Sequence, residues 1–255
     1  MLLRRITHHI KNQNWFAVFL DFIIVVAGVF IGIQVSNWNE SRVEAIREQE
    51  VLVAILDDLK TDLDVLDASL AMAEISTNAS NYILEKAGFE KLDKISLPVV
   101  NFQIEGADLM INSGIDIPEE RKDQLWKMVT VRYYPDQSNT AFSSLVAAGD
   151  LKIISDQSLI SDLQSYSHLW NSIEKSNQST HRSFRDQTVF VGQEFGLSPF
   201  TRVPEEQFIE MVQTVPKIQA VIRTMLEFAV LHQSQMKQAR KKALSLIERV
   251  GQEIK

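Results

Sequence analysis

From Trp15 to Val35 the chain reads WFAVFLDFIIVVAGVFIGIQV, with one ionisable residue, Asp21. At 1.5 Å of rise per residue, about 20 such residues cross a hydrocarbon core of roughly 30 Å. The stretch therefore reads as a transmembrane helix over 15–36, between a tail of residues 1–14 and a body of residues 37–255. A cleaved signal peptide has a shorter apolar core, roughly 7 to 15 residues, and a small-x-small exit. The exit here is Gln34-Val35-Ser36-Asn37-Trp38-Asn39-Glu40, which suits a retained anchor. The competing account is a buried helix of a soluble domain, but such a helix rarely reaches this length without a polar face. Trp15 and Trp38 lie about 34 Å apart along a helix, as two aromatic belts at the membrane interfaces would, and are the expected anchors.

The tail holds Arg4, Arg5 and Lys11 and no acid. Lys and Arg near a span favour the cytoplasmic side, so the N-terminus is expected inside and the body outside, with Arg42 and Arg47 on the far flank narrowing the difference. There is no cysteine, which removes disulfides, thiolate metal sites and cysteine nucleophiles. A net charge of -7 argues against a nucleic-acid partner, since phosphate binding needs a basic footprint.

In the body, Ser41-Arg42-Val43-Glu44 has the capping-box pattern, so a helix is expected to start or restart there. Leu52, Leu56, Leu59, Leu63, Leu66, Leu70 and Ala73 then form a heptad seam. It fits one helix of an antiparallel bundle, or a parallel dimeric coiled coil continuing from the membrane; matching faces in later helices favour the bundle. Residues 88–117, with Gly88, Pro98, Gly106 and Gly114, read as an irregular insertion. Pro118-Glu119-Glu120 opens a helix to about Arg132, and Tyr133-Tyr134-Pro135-Asp136 ends it. Ser138-Asn139-Thr140 caps a short helix stopped by Gly149. Ser155 or Asp156 caps a longer one whose seam is Leu159, Leu163, Tyr166, Trp170 and Ile173, turning polar over 176–181. A last pair of helices, broken near Pro216, carries Ile218, Ile222, Met225, Ala229, Met236, Ala243 and Leu246. The expected fold is mainly α: one N-terminal transmembrane helix and an antiparallel bundle of long, coiled-coil-like helices.

The span ending VVAGVFIGIQVSNWNE, the acidic helix LVAILDDLKTDL and the later FSSLVAAGDLKIISDQSLISDLQSY resemble a family of uncharacterised bacterial single-pass membrane proteins. The resemblance covers about residues 15–70 and 140–166, with Asp21 where the family more often has glutamate and Phe142 where it more often has tyrosine. It implies an anchor in the bacterial inner membrane with a helical body in the periplasm or otherwise outside the cytoplasm. It implies no reaction, and it carries over no catalytic residue.

Asp21, Val25, Gly28, Gly32 and Val35 step by four and three and share one face of the span. Gly28-x-x-x-Gly32 lets two helix backbones approach closely. An intramembrane carboxylate, costing at least about 2.5 kcal/mol at mid-bilayer, should face a partner or water, although Asp21 could instead snorkel to the headgroups. In the body, Tyr166, His168, His181, Arg182 and Arg185 could line a polar pocket where the seam of the longer helix after Asp156 turns hydrophilic; buried polar groups in a seam more often set register. About nine acids over 44–74 face about six bases over 237–255, so the first and last helices should attract. Asp57, Asp58, Asp62 and Asp64 on a straight helix do not make a calcium site, and no histidine pair has metal-binding spacing. No metal, no cofactor and no catalytic residue are expected.

Two classes of function compete. One is a membrane-tethered, non-enzymatic helical protein acting on itself or another membrane protein, with membrane lipid as its surroundings. The other is an extracytoplasmic ligand-sensing domain coupled through the span to a partner, which only about 14 residues before the span make less favourable. A bare apolar groove would favour the first, and an enclosed cavity around His168 to Arg185 the second.

Overall fold

A computed structural model describes residues 15–96, 108–111 and 116–254. The tail, 1–14, parts of the 88–117 insertion and the side chains of Trp15 and Asp21 lie outside the described residues. The chain is mainly helical and divides into two compact units, Met1–Val51 and Leu52–Lys255.

Helix α1, Trp15–Lys86, runs 72 residues without interruption. The expected restart at Ser41 does not occur. No glycine or proline lies between Gln34 and Glu44, and inside a continuous helix the amides of residues 41–44 already have carbonyl partners, leaving a cap nothing to satisfy. Ser36 instead donates to Glu40 across one turn at 3.3 Å. Among the described residues α1 is the one helix long and apolar enough to cross a membrane. In the first unit its apolar side chains face outward all round: Phe22 is 63 %, Ile24 61 % and Phe30 62 % exposed.

In the second unit, β1 (Lys94–Ser96) pairs antiparallel with β2 (Asp108–Met110), so the insertion contains a small hairpin. A 3-10 turn, Glu119–Gln124, leads into α2, Leu125–Thr130. Pro118 precedes that turn rather than opening an α-helix, since the Asp123 carbonyl accepts from Val203 N–H and the Asp123 carboxylate from Arg202, so residues 119–124 are tied to a later loop. Residues 131–139 are an irregular connecting segment before α3, Thr140–Ala148, which ends at Gly149 in the left-handed conformation, φ +72°. Helix α4, Gln157–Ser176, is capped by Asp156, which accepts from Ser158 N–H and Leu159 N–H. It passes through a π turn, Asn177–His181, into α5, Arg182–Glu194. Helix α6, Glu205–Thr214, and α7, Pro216–Glu253, follow, the latter with Pro216 in its first turn, where the missing N–H costs no helical bond.

An apolar core joins Ala79, Ile83 and Leu84 of α1 to Trp126 and Val129 of α2, Phe208 and Val212 of α6, and Ile218, Ile222 and Leu226 of α7. Trp126 meets Phe208 edge-on at 6.2 Å. Gly192 lets α5 lie directly on this tryptophan: a Cβ there would stand 2.2 Å from the indole. The buried seam of α1 differs in phase from the expected leucine seam. Leu52, Leu59, Leu66 and Ala73 are buried as expected, but Leu56, Leu63 and Leu70 are only half-buried, and Ile55, Asp62, Ser69 and Ser76 take the alternate positions. Three of those four are polar, and each is held by a partner described next.

Candidate functional site

The connecting segment 131–139 forms no helix or strand, so its backbone needs partners from elsewhere if it is to pack against the core. The polar seam residues of α1 supply them, one heptad apart and in the reverse chain order. Ser76 donates to the Val129 carbonyl in the last turn of α2, just before the segment, at 3.2 Å, and Ser69 to the Tyr133 carbonyl within it at 2.7 Å. Asp62 accepts from Ser138 N–H at 2.6 Å. One turn earlier, Asp58 accepts from the Ser138 hydroxyl at 3.1 Å and from Ala141 N–H at 2.9 Å. Asp58 therefore does from another helix what the run Ser138-Asn139-Thr140 was expected to do for α3, whose N-cap residue, Asn139, makes no side-chain cap. A carboxylate here also meets the positive end of the α3 dipole.

Arg132 crosses from this segment to α7. Its guanidinium donates to Ser76 Oγ, to the Val129 carbonyl at 3.0 Å, to the Val131 carbonyl at 3.1 Å and to the Met225 carbonyl at 2.7 Å. Burial brings its pKa down to about 10, yet it stays charged at neutral pH. Its charge is solvated by carbonyl dipoles, and it bears on the group beside it.

That group is a buried aromatic cluster: Tyr134, His181 at the end of the π turn, and His232 of α7. Tyr134 and His232 rings are 4.1 Å apart, and the His181 ring lies 5.9 Å from Tyr134 and 5.1 Å from Phe228, which stacks on Phe184 at 4.7 Å. The Tyr134 hydroxyl and His181 Nδ1 are 2.8 Å apart. Ser69 Oγ lies 2.8 Å from His232 Nε2. With its single proton directed to the Tyr133 carbonyl, Ser69 must accept from His232, which fixes the Nε2–H tautomer and leaves Nδ1 as a bare, buried acceptor. Burial, and then the Arg132 charge, push His181 down to about 4 and His232 to about 3, so both rings are neutral at ordinary pH. Burial likewise pushes Tyr134 up to about 12. Neutral imidazoles, a hydroxyl and a phenol, with no carboxylate bonded to them among the described residues, form a packed hydrogen-bonded network, with Gln233 donating to Thr77 at 3.1 Å beside it.

The five body residues singled out from sequence do not meet. Tyr166 donates to Asp62 at 2.9 Å and packs edge-on against Trp170. His168 lines an open, polar groove of about 370 Å³ with Ser161, Ser165 and Lys242. His181 belongs to the buried cluster, Arg182 is exposed, and Arg185 pairs with its neighbour Asp186 at 3.2 Å. On the span, Val25, Val35 and Trp38 are exposed, and a Cβ at Gly28 or Gly32 would touch nothing within 4 Å, so the small-residue face is open. The basic end of α7 divides its pairing: Arg240 meets Asp67 of α1, whereas Arg249 bridges Asp156 and Asp162 beside and within α4. A second groove, about 260 Å³, is floored by Ala71, Ile75, Ile117, Pro118 and Met128, with Glu74 and Arg121 at its rim.

Sequence reasoning passed over Ser69, Ser76, Arg132, Tyr134 and His232. The signal was present: Asp62, Ser69 and Ser76 recur every seven residues inside an otherwise apolar seam. Compared with known proteins, the chain matches no family model, no curated protein and no solved structure.

Proposed function

We propose that this chain is a membrane-anchored, non-enzymatic helical protein that acts at the bacterial cell envelope by associating with itself or with another membrane protein. In this reading the span crosses the inner membrane with its N-terminus in the cytoplasm, and the body lies in the periplasm. The observation that carries it is the stretch of α1 from Phe19 to Trp38, whose large apolar side chains are exposed on all sides, with an open Gly28-Gly32 face that a second helix could approach. The resemblance to bacterial single-pass proteins supports the location, and the positive tail supports the orientation.

The body reads as an antiparallel bundle. Asp67 meets Arg240 and Thr77 meets Gln233, while Asp162 meets Arg249 and Ser165 meets Lys242, so partners on α7 descend as those on α1 or α4 ascend. The open apolar groove at Ala71 to Met128 suits association. Around His181 the interior is filled by Tyr134, His232 and Phe228, and the space at His168 is open, so neither is the enclosed cavity that ligand sensing calls for.

In-membrane crosslinking from a photoreactive residue at Val25 tests the proposal. Capture of a second copy, or of one recurrent membrane protein, is the expected result, lost with Gly28→Ile plus Gly32→Ile. Capture of lipid alone would overturn association through the span.

A further inference from the structure

The junction of α1, the connecting segment, α3 and α4 holds two carboxylates that share one residue. Asp62, fully buried, takes Ser138 N–H on Oδ1 and the Tyr166 hydroxyl on Oδ2; Asp58, partly exposed, takes the Ser138 hydroxyl on Oδ1 and Ala141 N–H on Oδ2. The charged group facing Asp62 is therefore another acid on its own helix. Tyr166 is the titratable group from α4, and the connecting segment and α3 offer only Ser138 and the Ala141 amide. Among the described residues no basic side chain pairs with either carboxylate; the nearby Asp57 takes Lys60 at 3.2 Å. Two negative charges one turn apart, one of them out of water and without a cation, are costly, and a single proton removes the cost.

We propose that the Asp58–Asp62 pair is a proton-binding site that carries one proton, on Asp62, in mild acid and releases it near neutrality, so that the joint between α1, α3 and α4 is tightest when protonated. Asp58 has solvent, two donors and the N-terminal end of α3 beside it. A protonated Asp62 keeps Ser138 N–H on Oδ1 and reverses its other bond, donating from Oδ2 to Tyr166 Oη. Both tethers survive and the buried charge disappears. Burial pushes Asp62 up to about 6, opposed by the Ser138 amide and the Tyr166 hydroxyl and reinforced by Asp58. The sign follows: between the unfolded value near 3.8 and about 6 the folded chain binds a proton that the unfolded chain does not, so this contribution is present below that window and lost as pH rises through it.

The neutral histidines work in the opposite direction in part of the same range, so the test is a difference. Thermal unfolding of the full chain in detergent, wild type against Asp62→Asn, should give a Tm difference that favours the variant at pH 8 and moves steadily toward the wild type by pH 5. A difference independent of pH would overturn the proposal. Infrared spectra of the wild type decide the point even if Asp62→Asn does not fold. A protonated-carboxyl band present at pH 5.5, weakened by pH 8 and shifted when Tyr166→Phe removes its partner, is expected; absence of that band at pH 5.5 would overturn the site.

Discussion

Along residues 19–38, α1 turns large apolar side chains outward in every direction, whereas along 52–75 the same helix buries one narrow seam and exposes acids elsewhere, and over 76–84 it is buried on nearly every side. In the second stretch stability comes from packing against named neighbours, and polar residues are admitted to the seam where each has a partner. In the first stretch packing within the chain contributes little, and the side chains make sense in a medium as apolar as themselves. One unbroken helix thus carries two kinds of surface, and the seam, not the propensity of individual residues, tells them apart.

Charging the first stretch should break the comparison most severely. Ile24→Lys with Val29→Lys places two ammonium groups near mid-bilayer, each costing about 2.5–3.5 kcal/mol on insertion scales. The expected outcome is loss of the chain from carbonate-washed membranes, by degradation or release. Full retention would mean that this segment is not held by lipid.

The second stretch should show its buried network through pH. His181 and His232 have folded pKa values near 4 and 3, below the ordinary 6.5, so their contribution is fully present above pH 6.5 and is lost as pH falls through the folded values. The shifts correspond to roughly 3 kcal/mol for His181 and roughly 5 kcal/mol for His232. Denaturant unfolding of the full chain should therefore weaken between pH 6.5 and 4.5, and His232→Phe should flatten that decline by about one proton. An unchanged slope in the variant would mean that the ring is charged, or wet, in the folded protein.

How much of this was legible beforehand differs between the two stretches for a physical reason. A helix long and apolar enough to cross a membrane is legible from composition and length alone, and residues 15–35 carry both. The ends at Gly149 and the cap at Asp156 were also readable, because each is settled by a few adjacent residues. The seam of α1 was misphased because leucines were counted and Asp62, Ser69 and Ser76 were not. Their burial depends on partners 53 to 76 residues away in sequence, most of them in a segment whose irregular backbone leaves no periodic trace. The pocket expected at Tyr166 to Arg185 dissolved for the same reason: neighbours along one helix turn face different helices, and only the fold assigns Tyr166 to Asp62 and His181 to Tyr134.

One substitution made twice on α1 sharpens the contrast at the smallest scale. Ser69→Ala removes a hydroxyl that serves the part-buried Tyr133 carbonyl and the buried His232 N–H, and should cost about 1–3 kcal/mol of body stability. Ser41→Ala touches an exposed position inside a continuous helix, where alanine is the better helix former, and should change stability by less than about 0.5 kcal/mol. If a helix restarted at Ser41, its hydroxyl would cap free amides and the same change would cost about 1 kcal/mol. Comparing the two variants by denaturant unfolding, with helicity followed by circular dichroism, thus asks whether the two stretches are one helix. A Ser41→Ala loss near that of a true cap would place a break in the helix near Ser41, whereas a neutral result beside a large Ser69→Ala loss supports one continuous helix carrying two kinds of surface.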